Sequence, residues 1–209
     1  MIRTNQDLLQ FIIQQEGIQQ QTLKPGQKLL HQDGKPLHAY IIRQGIAKCY
    51  ITEENGKDYI LEFFGEGEVL GELELLQNTT ILSTVEAVTE LMLYKISGSS
   101  FWQLLETNPH FNRIILKELA TRVSQLAIRV SYQQLYPIEY TVLKLLSLFS
   151  HQELTLSKQD LADYLAISLR SLNRTLKQLR EKCFIPDDSL HLHLSQPELD
   201  KLLKRFDEL

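Results

Sequence analysis

The hydrophobic pattern of this chain changes its period once, near residue 97, and that change restricts the folds open to it. Before it, between residues 21 and 95, glycines recur at Gly26, Gly34, Gly45, Gly56, Gly65, Gly67 and Gly71. Between them lie short runs rich in β-formers at 39–43, 46–52 and 59–64, with further candidates at 83–87 and 90–96. Many short strands at this spacing predict a sandwich or a roll. Asn55-Gly56, between two such runs, is the strongest short-range hairpin signal a sequence can carry. After residue 97 the apolar residues recur at helical intervals. Residues 97–106 read as a short helix closed at Asn108-Pro109, and residues 111–135 as a long one. Ahead of the strands, residues 5–16 predict a helix with Leu8, Leu9, Ile12 and Ile13 on one face.

The long helix carries a seam. Asn112, Leu116, Leu119, Val123, Leu126, Val130 and Gln133 are spaced alternately four and three apart, a heptad pattern with polar ends. Such a seam asks for a partner helix, so Leu116, Leu119, Val123, Leu126 and Val130 are the expected interface of a homodimer. Ile114, Ile115 and Ile128 lie beside or behind it and are expected to pack on the strands. Pro137 ends the helix, because the residue before a proline is pushed out of the helical region. The expected division is therefore 1–108 as a strand-rich domain, 109–136 as a dimerisation helix and 137–209 as a third, mostly helical part. Residues 138–149 form another apolar helix, followed by a polar bend at 150–153.

Ser157 is placed to cap a helix over residues 158–165, whose Leu161, Ala162 and Leu165 face a core. The turn Ala166-Ile167-Ser168 then leads into a second helix to Lys182. Two short helices with such a turn match a helix-turn-helix, which lays its second helix in the DNA major groove. In that helix Leu172, Leu176 and Leu179 point inward. The net charge of the chain is -4, yet residues 168–182 hold Arg170, Arg174, Lys177, Arg180 and Lys182 against Glu181 alone. A concentrated positive stretch on an otherwise acidic chain suits one DNA-reading face and argues against non-specific coating of nucleic acid. Ser168, Leu169, Arg170, Ser171, Asn173, Arg174 and Lys177 are the candidate DNA-binding residues. Arginine pairs with guanine and asparagine with adenine, whereas Ser171, Lys177 and Arg180 suit phosphates. Residues 184–194, ending in the alternation Leu190-His191-Leu192-His193-Leu194, predict the hairpin of a wing. Ser195 and Glu198 form a capping box that starts a last helix.

Other classes are poorly served. No apolar run approaches the ~20 residues of a membrane span. The N-terminus lacks a signal peptide's apolar core, so cytoplasm is the expected compartment. Cys49 and Cys183 cannot supply four thiolates to an iron–sulfur cluster. His191 and His193 could hold a metal, but solvent or DNA contact suits a wing better. No nucleophile elbow, nucleotide loop or two-histidine-carboxylate set is present, so an enzyme is not expected. The remaining alternative is a small-molecule-binding module that acts through protein contacts.

Two blocks carry a family resemblance. Residues 64–76, Phe-Gly-Glu-Gly-Glu-Val-Leu-Gly-Glu-Leu-Glu-Leu-Leu, resemble the phosphate-binding cassette of the catabolite activator/FNR superfamily, and residues 157–176 resemble its helix-turn-helix. Within it, the YeiL-like members are nearest in kind. The resemblance implies an α+β chain: an N-terminal β-roll of cyclic-nucleotide-binding type (a double-stranded β-helix), a long dimerisation helix and a C-terminal winged helix-turn-helix. It implies a homodimeric transcription regulator bound to double-stranded, palindromic DNA, with RNA polymerase as partner if it activates. Its effector pocket would fall on Gly71, Glu72, Leu82, Ser83 and Leu126. The family's pocket has an arginine for the cyclic phosphate where this chain has Leu82, and leucine neutralises no phosphate. Hydrogen bonds to charged groups contribute about 1.5–3 kcal/mol, so the loss weakens binding at least about tenfold. Cyclic AMP is therefore not expected as the effector, and no cofactor is assigned. The family's recognition helix reads bases from an Arg-Glu pair and a later Arg. Here those positions are Leu169, Arg170 and Arg174, so a different target sequence is expected.

Overall fold

The computed structural model describes residues 3–149, 156–186, 192 and 194–208. The chain divides into two compact units, residues 1–124 and 125–209. The division falls inside the long helix, ahead of Pro137. One continuous helix has no local breaker to mark where its packing partners change.

The first unit opens with α1 (Gln6–Ile13), capped by Asn5, whose side chain accepts from the Leu8 N–H. Leu8, Leu9, Phe11 and Ile12 are buried, but Ile13 is exposed, contrary to the expected face. Eight strands follow: β1 (Gln19–Leu23), β2 (Lys28–Leu30), β3 (His38–Gln44), β4 (Ala47–Thr52), β5 (Asp58–Phe64), β6 (Val69–Leu70), β7 (Thr84–Ala87) and β8 (Leu91–Ser97). They form two four-stranded antiparallel sheets, ordered β1-β8-β3-β6 and β2-β7-β4-β5. This is the roll expected from the glycine-punctuated strands. β4 and β5 pair as the hairpin expected at Asn55-Gly56, with Gly56 at φ 75°.

Strand β3 explains the layering. Its Tyr40 and Ile42 join Leu23, Phe64, Leu70, Leu91 and Leu93 in one core cluster. Its Ala39 and Ile41 join a second cluster with Leu8, Ile12, Phe101, Phe111 and Ile115. Alternate residues of one strand thus feed two cores, which is why its sequence is nearly continuously apolar. The second cluster is built with α1, α3 (Gly98–Thr107) and the first part of α4 (Pro109–Leu135). Between β6 and β7 the short α2 (Glu72–Gln77) starts at Gly71, held at φ 78°.

The second unit contains the end of α4, then α5 (Ile138–Phe149), α6 (Lys158–Leu165), α7 (Leu169–Glu181) and α8 (Gln196–Lys204), followed by a 3-10 turn at Arg205–Glu208. Leu143, Leu161, Ala162, Leu165, Leu172, Leu176, Leu179 and Leu199 are buried in it. Ser157 and Asp160 close a capping box at the start of α6. Ser195 and Glu198 do the same for α8. The expected wing, including His191 and His193, lies outside the described residues, as does the bend at 150–153.

Candidate DNA-reading helix and roll pocket

Ser168 terminates the turn between α6 and α7 by accepting from the Ser171 N–H at 3.1 Å. The chain enters that turn through Ala166 in the left-handed region, φ 55°. Leu172, Thr175, Leu176 and Leu179 bury one face of α7. Ser168, Leu169, Arg170, Asn173, Arg174 and Lys177 are exposed, and Ser171 is half-buried. From Leu169 to Lys177 the exposed positions recur at intervals of one, three, one and three, which is a single helix face. Lys177 lies 3.8 Å from Glu181, an exposed pair that leaves the ammonium available. Arg180, assigned to phosphate from sequence, donates through Nε to the Pro186 carbonyl at 3.3 Å. Lys182 donates to Glu139 at 2.6 Å and ties the end of α7 to α5.

The roll pocket is lined in part by Arg122 of α4. Arg122, on α4, reaches the cassette and donates to the Glu72 carboxylate and to the Val69 carbonyl. Its Nε donates to Glu118 at 3.2 Å, and its guanidinium lies 4.7 Å from the centre of the Phe64 ring. Glu118 also accepts from Arg3 at 2.6 Å and from Asn5 at 3.1 Å. Arg3 reaches on to Glu68, whose other oxygen accepts from the Gly65 N–H at 2.7 Å. Two guanidinium groups and three buried carboxylates thus form one network between the N-terminal arm, the cassette and α4. Burial pushes the Glu68 carboxyl up to about 7, against the pull of the Gly65 N–H, Arg3 and Arg122. Burial also raises Glu72, with Arg122 opposing it.

The space left is a cavity of about 40 Å³ lined by Gly71, Glu72, Ser83, Cys49, Phe64 and Arg122 among others. Of the five expected pocket residues, it brings together Gly71, Glu72 and Ser83. A side chain at Gly71 would meet the His38 carbonyl at 2.9 Å. Ser83 and Cys49 share a hydrogen bond of 2.9 Å, and burial raises the Cys49 thiol to about 12, so it carries no thiolate. Leu82 is 55% exposed and does not line the cavity, though its N–H donates to Glu74 at 3.0 Å. Leu126 belongs to the second unit. The sequence reading missed Arg122, Arg3, Glu68 and Glu118. The i,i+4 spacing of Glu118 and Arg122 was a signal, but on a helix such a pair ordinarily faces solvent.

Helix α4 is inverted relative to an ordinary amphipathic helix. Its polar Glu118, Arg122, Arg129 and Gln133 are buried or half-buried, while Leu116, Val123, Leu126, Ile128 and Val130 are exposed. Ile114 and Ile115 pack on the roll as expected, and Ile128 is 63% exposed instead. Leu119 packs partly against the core of the first unit. The polar ends of the heptad seam serve the chain itself: Asn112 donates to the Leu105 carbonyl at 3.2 Å, and Gln133 to the Tyr164 carbonyl at 3.1 Å.

A β-roll followed along the chain by a long helix and a helix-turn-helix defines a class of bacterial transcription regulators. Residues 20–108 match the cyclic nucleotide-binding domain family, and residues 154–185 match the crp family of bacterial regulatory proteins. The cAMP-activated global transcriptional regulator CRP of Salmonella typhimurium is 24% identical over 168 residues, covering 75% of this chain and 80% of that protein. The c-di-GMP-responsive global regulator CLP of Xanthomonas campestris has a similar structure, with a TM-score of 0.79 at 18% identity over 90% of this chain and 99% of that one. FixK2 from Bradyrhizobium japonicum gives a TM-score of 0.74 at 17% identity, covering 88% and 96%. The chain belongs to the CRP/FNR superfamily of bacterial transcription regulators.

Proposed function

We propose that this regulator binds palindromic DNA as a homodimer and that its roll needs no nucleotide, because Arg122 occupies the pocket. The observation that carries the reading is the engagement of the Arg122 guanidinium by Glu72, Glu118 and the Val69 carbonyl. A cavity of about 40 Å³ has room for roughly one water molecule. Small-molecule pockets run to about 300–1,000 Å³. Relatives respond to cyclic AMP or to c-di-GMP, but here Glu72 already holds a cation of the same chain.

The exposed apolar stripe Leu116, Val123, Leu126 and Val130 supports the dimer, since apolar patches on a helix mark partner surfaces. The exposed face Ser168, Leu169, Arg170, Asn173, Arg174 and Lys177, with Ser171 at its edge, supports direct reading of base edges. The compartment is the cytoplasm, where the DNA is, and no helix among the described residues is long and apolar enough to cross a membrane. RNA polymerase is the further partner at promoters the protein activates.

Two measurements test this. Calorimetry with cyclic AMP and with c-di-GMP gives no binding in the micromolar range, and a micromolar Kd for either overturns the closed pocket. Val123→Asp with Leu126→Asp, which spare the roll contacts of Leu119, put carboxylates in the seam. Sedimentation then finds a monomer with much weaker DNA binding, whereas an unchanged dimer removes the seam.

A further inference from the structure

The second unit holds a buried cation that the family blocks did not point to. Arg129, on the last part of α4, is 3% exposed. Its guanidinium donates to the Tyr164 carbonyl and lies 3.6 Å from the centre of the Tyr164 ring. Gln133, one turn further on, donates to the same carbonyl at 3.1 Å. Tyr164 sits in the last turn of α6, where carbonyls lack partners within the helix. Two side chains of α4 therefore cap the end of the first helix of the helix-turn-helix, and one of them also stacks on it.

The rest of that motif is packed around Tyr164 by short-range contacts. Ala166 turns the chain in the left-handed region, and the Ile167 N–H returns to the Ala162 carbonyl at 3.0 Å. Leu161 and Leu165 of α6 and Leu172 and Leu176 of α7 are all buried. The turn between the helices is only three residues long. The same two turns of α4 that grip Tyr164 present Leu126 and Val130 on a neighbouring face, both exposed. One face of this short stretch belongs to the seam, and the next holds the DNA reader.

We infer that Arg129 is a positioning residue for operator recognition: by clamping Tyr164 it fixes the separation of the two half-sites that the dimer accepts. This rests on the reading of the chain as a homodimer on paired half-sites. Adding one base pair between half-sites moves them apart by about 3.4 Å and turns one against the other by about 35°. A helix-turn-helix held through a stacked, doubly bonded contact resists such a turn. One held only by apolar packing yields to it more easily, because such packing is not directional.

The test is selection from a library in which the preferred half-site is paired at every separation over one helical turn. It uses the full chain and Arg129→Gln, Arg129→Lys and Gln133→Ala. The unsubstituted protein favours one separation over its neighbours by about tenfold or more. Arg129→Gln spreads selection over neighbouring separations and leaves the base preference within each half-site unchanged. Arg129→Lys, which keeps the charge and a donor but not the planar stack, restores part of the discrimination. Gln133→Ala, removing the lesser bond, loosens it partly and keeps the test available if Arg129→Gln does not fold. Variants that lose affinity equally at every separation, with discrimination intact, overturn the inference and leave the dimeric DNA-binding reading standing. Unpaired half-sites selected by the unsubstituted chain overturn both.

Discussion

Replacing Arg122 by Met removes the cation that closes the roll pocket and keeps most of its apolar stem. Glu72, 1% exposed, is left without its partner, and the Val69 carbonyl loses its donor. Glu118 keeps Arg3 and Asn5. Removing one partner of a buried ion pair costs about 3–5 kcal/mol, because the other charge stays buried. At about 2–4 °C per kcal/mol for a chain of this size, the midpoint falls by roughly 10 °C. Glu72→Gln with Arg122→Met removes both charges, so much of the loss returns. The coupling energy of the cycle is about 2–3 kcal/mol. Urea denaturation is the assay, and the chain's single tryptophan makes it specific. Trp102 lies on α3 of the first unit, so its fluorescence follows the roll. A cost below about 1 kcal/mol for Arg122→Met, or single effects that simply add, refutes the closed pocket.

The folded pKa of Glu68, about 7, lies above its ordinary value of 4.5, so the folded state holds this proton more tightly than the unfolded chain. Its contribution is present at acid pH and is lost as pH rises from about 4.5 through about 7, by up to roughly 3 kcal/mol; Glu68→Gln flattens that slope, and an unchanged slope refutes the assignment. Ala166 at φ 55° carries left-handed strain that glycine lacks, offset in part by glycine's greater backbone entropy loss; Ala166→Gly stabilises the second unit by about 0.5–1 kcal/mol, and a lower unfolding midpoint contradicts that account.

Much of this was legible in the sequence, for reasons that differ by element. The β4–β5 hairpin was written in Asn55-Gly56, and α6, α7 and α8 in their capping serines. β1 escaped notice because Gln19, Gln20, Gln21 and Thr22 show no apolar alternation; the strand is secured by its pairing with β8. β6 is two residues long, and α2 starts from a glycine in the left-handed region, so neither leaves a periodic trace. The loss at Leu82 was visible from sequence, but the Arg122 guanidinium beside Glu72 was not. A charged residue on a long helix looks the same in sequence whether it faces water or engages a carboxylate 50 residues away. The same holds for Arg129, whose partner is the carbonyl of a residue on another helix.

On the proposed reading this chain recognises paired DNA half-sites through α7 without a nucleotide. Selection of genomic fragments by the purified, nucleotide-free protein, followed by sequencing, tests that reading. That reading predicts a palindrome with half-sites about one helical turn apart. It also predicts that Arg174→Ala relaxes one position per half-site at a cost of about 1–3 kcal/mol. Fragments without a shared motif, a motif that appears only when cyclic AMP is added, or a motif and affinity indifferent to Arg174→Ala would contradict it.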